Sequence, residues 1–512
     1  MTHRLLLAFV FTTCIAAASA FKAGHGYGEN YSAPDGLFAV HATASDFPME
    51  GAPLYNVSVN GRYVGLYNDR NFWGGLVHFG AFEFENGRPV TIRISYYQPI
   101  KSYELLPSER LSVLSVKKVG RSTIEIRTDR ADQNFTLVVN GELKKNVLHL
   151  FAQSIDHSAP AQAQKHGYTR DEKEKLFCFG PGTYDLKALT GNDMLVLPDG
   201  WKVYIAAGAV VKGRIGLWGT SAGTMVSGRG MVYNDTTDPH VIFEANECKG
   251  AGVYGVTFHC HRKGVWQVVI NHSRNVEFKN VKIISTRYAS TDGLDIVNSQ
   301  QCSFLNTFIR ASDDAIAIKG LDSRKPAECP PTRNLTFCGM ELWNDCNCAM
   351  GIGAENKCSL YENIRFLNSS ILFSYDDPDY HDCLDERAAM TICCIHGTFF
   401  RNISYENIDV YHAERLIAAG FQPSFWFGAL PGDQTTEGGI DGLTYRNVRL
   451  LRREKDDKLS GEIHLYGWNK PGTPVKKVEN VKMENVTIEG KGVKEAGVLH
   501  VGPEVYNLDI RP

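Results

Sequence analysis

Cysteine is missing from a long early stretch of this chain of 512 residues. Of thirteen cysteines, none lies between residues 15 and 177, and twelve fall between Cys178 and Cys394. Such crowding predicts disulfides in one region and an oxidising compartment. The local pairings we expect are Cys329–Cys338, and Cys346 or Cys348 with Cys358. The spacings of a zinc site, paired CxxC motifs or CxxC with HxxxH, are absent, so we predict no metal and no cofactor.

Long apolar runs and an excess of one charge are also lacking. The N-terminus reads as a signal peptide over residues 1–20, with Arg4, a short apolar run and a small-x-small end at Ala18–Ala20. No later segment reaches about 18 apolar residues, so we expect no membrane span. The formal net charge is −3, which gives no electrostatic reason to expect a nucleic acid or membrane partner. We predict a secreted, extracellular monomer, glycosylated at some of nine Asn-x-Ser/Thr sequons.

Alternating apolar residues indicate strands throughout, and 48 glycines favour an all-β chain. Residues 21–155 read as an antiparallel β-sandwich-like domain without obvious chemistry. Asn60-Gly61 and Asn140-Gly141 each follow a valine-rich run and predict two-residue hairpin turns. A polar stretch, residues 156–175, is expected to link this domain to a catalytic domain over residues 176–512.

A repeat in the second half predicts a solenoid of stacked parallel coils. It reads apolar-x-aromatic-x-Asn-apolar-x-apolar, and its last copies place Asn368, Asn407, Asn447 and Asn485 at spacings of 39, 40 and 38 residues. The alternation should stack Phe278, Phe304 and Phe366 on one interior face. The recurring Asn should lie at a bend, bonded to its stacked neighbours. We expect Asn368 and Asn485 to be buried there.

The densest acidic cluster on apolar strands occupies two successive coils. Thr291-Asp292-Gly293-Leu294-Asp295 is followed by Asp313-Asp314, and Asp292 and Asp313 are 21 residues apart. Stacked coils would bring Asp292 beside Asp313 and Asp314, about 4.8 Å away along the strand spacing. Carboxyls that close cannot all ionise easily, so one should hold a proton. One protonated acid and one ionised base are what glycoside hydrolysis needs.

These two motifs resemble those of the polygalacturonase-type glycoside hydrolases of family 28. The resemblance implies a right-handed parallel β-helix, a pectin-lyase-like solenoid, over about residues 175–500. It also implies an inverting reaction in which Asp313 is the general acid and Asp292 and Asp314 activate the water. Asp313-Asp314 with Ala-Ile-x-Ile-Lys is similar also to the dextranase and isopullulanase family, which shares this fold and carries an N-terminal β-sandwich.

The chain departs from the polygalacturonase pattern where that family binds sugar carboxylates. Cys348 stands where a histidine would lie, and no Arg-Ile-Lys motif follows. Lys319, Asp295 and Arg387 are the candidate substrate-binding residues, and a neutral sugar is plausible. The expected function is therefore polysaccharide hydrolysis, polygalacturonase-like, with a dextranase-like α-glucan hydrolase as the alternative. A β-helical lyase or epimerase and a non-catalytic carbohydrate-binding β-helix stay open.

Overall fold

A computed structural model of the protein describes residues 28–44, 47–234, 241–261, 266–285, 287–288, 290–376, 387–422, 432–454 and 459–512. The predicted signal peptide and Cys383 lie outside these ranges. Within them, no helix is long and apolar enough to cross a membrane. The chain divides into two compact units. The first runs to Gly167 and includes Gly180–Thr183 and Ala206–Val210, and the second holds the rest. The domain boundaries derived from the sequence stay predictions.

The first unit is a β-sandwich built from twelve strands. They are β1 Tyr31–Ser32, β2 Phe38–Val40, β3 Tyr55–Val59, β4 Arg62–Tyr63, β5 Tyr67–Arg70, β6 Leu76–Phe84, β7 Val90–Tyr96, β8 Tyr103–Leu106, β9 Ser115–Lys118, β10 Thr123–Thr128, β11 Gln133–Val139 and β12 Val147–Ser154. One sheet has the order β1-β2-β6-β12-β11-β8 with β5 on β6, and the other β4-β3-β7-β10-β9. All their pairings are antiparallel except β6 with β12. Both sheets bury their alternate apolar residues in one core, as the alternation predicts.

The two Asn-Gly turns of the first unit differ. Asn60-Gly61 closes the hairpin between β3 and β4, where Val59 pairs with Arg62, and both turn residues have positive φ, 50° and 79°. The prediction of a two-residue turn is confirmed there. It is wrong for Asn140-Gly141, because β11 ends at Val139 and β12 begins only at Val147. The Asn140 side chain instead accepts a hydrogen bond from Lys101 N at 2.7 Å.

The other strands form a right-handed parallel β-helix, as predicted. The strands are β13 Tyr168–Asp171, β14 Leu176–Phe179, β15 Gly182–Asp185, β16 Met194–Leu197, β17 Lys202–Ile205, β18 Ala209–Lys212, β19 Arg214–Trp218, β20 Met225–Gly228, β21 Met231–Asn234, β22 Phe243–Asn246, β23 Ala251–Tyr254, β24 Thr257–Cys260, β25 Val268–Asn271, β26 Val276–Lys279, β27 Lys282–Ser285, β28 Leu294–Val297, β29 Ser303–Leu305, β30 Phe308–Ala311, β31 Ile316–Gly320, β32 Thr332–Cys338, β33 Glu341–Asn344, β34 Met350–Asn356, β35 Leu360–Ser374, β36 Met390–Cys394, β37 Phe399–Val410, β38 Ile417–Phe421, β39 Gly439–Leu450, β40 Ile463–Tyr466, β41 Lys477–Ile488, β42 Lys491–Gly492, β43 Leu499–Val501, β44 Val505–Tyr506 and β45 Asp509–Arg511. The short helices are α1 Leu186–Thr190 and α2 Val493–Ala496, with 3₁₀ turns at Ala161–Gln164 and Pro326–Glu328. One sheet has 22 strands, in which β13 pairs with β14, and β42 with β41, in the antiparallel direction. The other has 11 strands in the order β16-β19-β22-β25-β28-β31-β34-β36-β38-β40-β43.

A column of aromatic rings fills one interior face, as the repeat predicts. Phe278 pairs with Phe304, and the column continues through Phe337 to Phe366, all fully buried. Successive ring centroids are 5.4, 4.9 and 4.7 Å apart. The sequence pattern missed the coil of Phe337, because Gly339 takes the Asn position there with φ 70°.

The recurring asparagines form a ladder at the bends between strands. Their φ values are positive, 49° at Asn368 and 58° at Asn407. Asn407 Nδ2 donates to Asn368 Oδ1 at 2.9 Å, and Asn447 and Asn485 extend the same chain of bonds. The stacked amides are as expected, but the predicted burial is wrong, since Asn368 and Asn485 are exposed. The amides hydrogen-bond to one another along the outer surface of the bend.

The expected disulfides are absent among the cysteines that the structure describes. None of these eleven cysteines forms a disulfide, Cys329, Cys338, Cys346, Cys348 and Cys358 included. The Sγ of Cys358 instead accepts from Thr332 N at 3.1 Å and that of Cys329 lies 3.2 Å from Lys325 O. Closeness in sequence does not bring sulfurs together, because the solenoid distributes successive residues around its coils. The clustering of cysteines therefore gives no support to an oxidising compartment.

Candidate active site

The register of three neighbouring strands in the 11-stranded sheet aligns the aspartate motifs. Leu294 of β28 pairs with Ile316 of β31, which pairs with Met350 of β34. The same ladder continues before the strands, where Gly293 N donates to Asp314 O at 2.8 Å. Counting back two residues therefore places Asp292 and Asp314 at equivalent positions in adjacent coils, with Cys348 next. Asp313 occupies the preceding position, one coil from Asn347.

Gly293 is required for this close approach. A Cβ at Gly293 would lie 2.4 Å from Ile309 Cγ2 and 2.8 Å from Ala315 O. Both distances are shorter than a van der Waals contact, and Ala315 O belongs to the backbone of the next coil. The glycine between Asp292 and Leu294 thus lets the chain enter the coil at the point where the acidic side chains gather.

Asp313 is held by three N–H donors. Its Oδ2 accepts from Ser290 N at 2.7 Å, and its Oδ1 accepts from Asn347 Nδ2 at 2.8 Å and from Asp314 N at 3.0 Å. Asp314 Oδ1 in turn accepts from Cys348 N at 3.0 Å. These bonds fix the orientation of both carboxyls relative to the backbone of two coils.

A buried lysine, Lys319, contacts two of the aspartates. Lys319 Nζ donates to Asp292 Oδ2 at 2.8 Å and lies 3.3 Å from Asp295 Oδ1. The ammonium is also 4.0 Å from the ring centroid of Trp266, a cation–π contact. All three charged side chains are almost fully buried. The lysine therefore offsets part of the negative charge that would otherwise accumulate here.

Burial dominates the protonation of the cluster. It raises the pKa of Asp292 to about 6, although Lys319 opposes the rise, and Asp313 adds to it by repulsion. The pKa of Asp314 is raised well above its usual value, first by burial and then by repulsion from Asp292 and Asp313. The pKa of Asp295 is raised for similar reasons. Burial and mutual repulsion thus favour the protonated form at Asp292, Asp295 and Asp314, and such close carboxyls titrate as a coupled group.

Cys348 and Arg387 extend the site to the next coils. The pKa of the Cys348 thiol is raised well above its usual value by burial and by Asp314, so the thiol stays neutral. Arg387 is buried and pairs with Asp376. The three substrate-binding candidates, Lys319, Asp295 and Arg387, are thus all buried, and both cations are in ion pairs.

Three residues of the site were not predicted from the sequence: Asn347, Ser290 and Trp266. Asn347 could have been found, because it directly precedes Cys348 and the register makes it a neighbour of Asp313 in the next coil. Ser290 contributes a backbone N–H, which no side-chain pattern reveals. Trp266 lies one coil before Asp292 by the pairing of Val268 with Leu294, but a lone tryptophan gives no sign of a lysine partner.

The fold and the site define a parallel β-helix protein with a cluster of buried carboxyls on one sheet. The sequence model described as "Glycosyl hydrolases family 28" matches residues 161–341. The match spans both aspartate motifs, confirms the resemblance derived from them and supports glycoside hydrolysis. None of the curated proteins gives a significant match to the chain.

Solved structures with a similar fold include "Dex49A from Penicillium minioluteum". That chain has a TM-score of 0.61 and 12% identity, over 95% of this chain and 100% of its own. A "Family 28 Exopolygalacturonase" of Yersinia enterocolitica gives a TM-score of 0.46 at 12% identity, over 84% and 98% of the two chains. A polygalacturonase from Erwinia carotovora ssp. carotovora gives 0.34 at 14% identity, over 65% and 87%. At such identities the first of these supports the fold alone.

Proposed function

We propose that the protein is an exported glycoside hydrolase that cleaves a polysaccharide with inversion of configuration at the anomeric carbon. The observation that carries this proposal is the backbone register that sets Asp292 and Asp314 at equivalent positions in adjacent coils, with Asp313 beside them. Inverting hydrolysis needs a protonated carboxyl at the leaving oxygen and an ionised one at the water, roughly 6.5–9.5 Å apart. A coupled group of buried carboxyls supplies both forms.

The roles follow from the resemblance and from the contacts. Asp313 donates the proton to the leaving oxygen, and Asp292 and Asp314 position and deprotonate the water. Lys319 acts on the reaction through Asp292, since its ammonium bonds to that carboxylate at 2.8 Å and favours the ionised form. Asp295 lies 3.3 Å from the same ammonium and adds a second buried carboxyl beside it.

One observation favours a second assignment of the acid. Burial and two neighbouring carboxyls raise the pKa of Asp314 well above its usual value, which is the property expected of a proton donor. In this version Asp314 protonates the leaving oxygen and Asp313 helps to activate the water. The two assignments predict that different variants, Asp313→Asn or Asp314→Asn, keep activity on a substrate with a good leaving group.

The substrate is best sought among neutral polysaccharides. Recognition of a sugar carboxylate needs a cation with donors directed at the sugar. The two cations that the sequence nominates for this task, Lys319 and Arg387, are engaged with Asp292 and Asp376 instead. Cys348, where polygalacturonases have a histidine, is a neutral buried thiol. An α-glucan is therefore preferred over polygalacturonate.

A polysaccharide panel tests the proposal. The full chain is incubated with dextran, other α-glucans and polygalacturonate, and new reducing ends are measured beside absorbance of unsaturated products. We expect reducing ends without unsaturation, and proton NMR should show the first-formed anomer opposite to the substrate linkage. Unsaturated products would indicate a lyase, and retention of the anomer would make one aspartate a nucleophile. Binding without any product would favour a carbohydrate-binding β-helix.

Leaving-group dependence separates the two acid assignments. A glycoside with a nitrophenol leaving group needs little protonation, so removal of the acid should slow it far less than it slows the polysaccharide. We expect Asp313→Asn to retain most activity on the nitrophenyl substrate, whereas Asp314→Asn loses activity on both substrates. The reverse pattern would move the proton to Asp314.

A further inference from the structure

Two histidines and a glutamate meet at the C-terminal end of the 11-stranded sheet. His464 of β40 pairs with His500 of β43, and their ring centroids are 4.5 Å apart. Glu462 lies just before β40, where its Oε2 is 2.9 Å from His464 Nε2 and its Oε1 is 3.7 Å from His500 Nε2. The two histidines thus present one ring nitrogen each, and Glu462 presents its carboxylate, to a common point.

The separations fit a first-row transition metal. Zinc binds histidine nitrogen and carboxylate oxygen at about 2.0–2.2 Å, so tetrahedral ligands lie about 3.4 Å apart. The distances of 2.9 and 3.7 Å, one to each oxygen of the Glu462 carboxylate, fall on either side of this value, and all three candidate ligand atoms lie within 4.8 Å of one another. Two imidazoles with a carboxylate suit zinc and its neighbours better than calcium or magnesium.

The place of the cluster in the fold indicates what a metal would do there. The strand β43 has three residues and is the last strand of the sheet, paired within that sheet with β40 alone. Short edge strands are weakly held and expose unpaired backbone groups. A metal bound by His500 on β43 and by Glu462 and His464 at β40 would join the edge strand to its neighbour.

The cluster is separate from the aspartates. Asp295 and His464 occupy the same outward row of the sheet, connected through Ala317, Gly351, Thr391 and Ala418. Five strand spacings separate them, about 24 Å. A metal there cannot reach the bond that the aspartates cleave.

We propose that Glu462, His464 and His500 form a binding site for a zinc-class divalent cation, which clamps the edge strand β43 onto β40. Two imidazoles and one carboxylate leave a fourth coordination position, and His500, at 54% side-chain exposure, leaves that position open to water. The role is structural, so metal occupancy changes the stability of the C-terminal edge and leaves turnover unchanged.

Calorimetric titration of the full chain with zinc chloride tests the site. The protein is first stripped with a chelator, and the same titration is made on His500→Gln and His464→Gln. Each variant should bind zinc at least about 10-fold more weakly, since loss of even a supporting residue has that effect. The matched control is His157→Gln, which removes a surface histidine paired with a single carboxylate, Glu85. Its affinity should equal that of the parent chain.

Hydrogen exchange gives the second readout. Zinc should slow exchange of the backbone amides of Leu499–Val501 in the parent chain and have no such effect in His500→Gln. Equal zinc affinity in the parent and both histidine variants would overturn the proposal, as would zinc binding without protection of these amides. Circular dichroism and polysaccharide turnover check that the variants are folded, since neither histidine has a role in the reaction.

Discussion

The two units use carboxylates in opposite ways. In the sandwich, Glu125 bonds to Arg93 and Lys117, and these partners lower its pKa. In the β-helix, burial raises the pKa of Asp292 and Asp314 despite the lysine nearby. The same chemical group is thus kept ionised in one unit and partly protonated in the other. Glu125 is itself only 6% exposed, so its two cationic partners, against the neighbouring carboxyls around Asp292 and Asp314, account for the opposite directions of the pKa shifts.

The same contrast explains why we expect catalysis in the β-helix and not in the sandwich. Catalysis by general acid and base needs carboxyls whose protonation changes near the working pH. Ion-pair partners lower the pKa values of Asp35 and Glu125 in the sandwich, so we expect this unit to support the β-helix or bind polysaccharide.

The first prediction compares one carboxylate from each unit. Asp313→Asn keeps the shape of the side chain but cannot transfer a proton, so turnover of the polysaccharide should fall by at least ~10²–10⁴. Glu125→Gln in the sandwich is the matched control and should leave turnover intact. Initial rates of reducing-end release measure both. A large loss in Glu125→Gln with binding retained would contradict the assignment of chemistry to the β-helix.

The second prediction compares the two cores. Phe337 lies in the aromatic column and Phe135 in the sandwich core, and both are at most 1% exposed. Replacement of either by alanine should lower the free energy of unfolding by about 3–5 kcal/mol through lost burial and a cavity. We expect Phe337→Ala to lower the midpoint of β-helix unfolding, and Phe135→Ala to leave turnover intact at a permissive temperature. Chemical denaturation followed by circular dichroism, with turnover measured in parallel, distinguishes the two.

Part of the fold could be predicted from the sequence, and part could not. The alternation around Phe278 and Phe366 predicted the interior column because burial fixes which face of a strand is apolar. Phe337 was missed because Gly339, which also accepts positive φ, replaces the Asn that marks the other coils. The turn at Asn140 was predicted too short, because its side chain bonds to Lys101, far away in sequence.

The site was partly predictable for the same reason. A separation of 21 residues placed Asp292 and Asp313 in adjacent coils, since register follows from coil length. The bond from Lys319 to Asp292 depends on side-chain paths that no spacing specifies, so the lysine was read as a substrate ligand. The cysteine pairings failed because closeness in sequence says little about distance between sulfurs in a solenoid.

The third prediction concerns pH and stability. A buried carboxyl with a raised pKa stabilises the fold below its unfolded pKa, and this contribution is lost as pH rises through the folded value. For Asp292 that window runs from about 4 to about 6. Protonation of this carboxyl should therefore make the β-helix more stable at pH 4.5 than at neutral pH. The lowered pKa of Glu125 acts in the opposite direction, with stability lost on acidification.

Asp314→Asn tests this sign directly. The amide cannot ionise, so the variant should gain stability relative to the parent chain at pH 7.5, on the order of 1–3 kcal/mol, and gain little at pH 4.5. Thermal unfolding at the two pH values measures the difference. A variant that is destabilised equally at both would show that the contact from Cys348 N to Asp314 matters more than burial of the charge.

The smallest expected effect concerns the two kinds of Asn turn. Asn407 has φ 58°, donates to Asn368 Oδ1 at 2.9 Å and accepts from Asn447 Nδ2 at 2.8 Å. Asn407→Gly keeps the left-handed backbone but removes both ladder bonds, so the free energy of unfolding should fall by about 1 kcal/mol. Asn60→Gly in the sandwich removes a single bond, to Thr91 N, and should lower it by less. Paired urea titrations measure the two differences. Equal effects would mean that glycine's flexibility, and not the stacked amides, explains the loss, and the ladder would then add little to the stability of the coils.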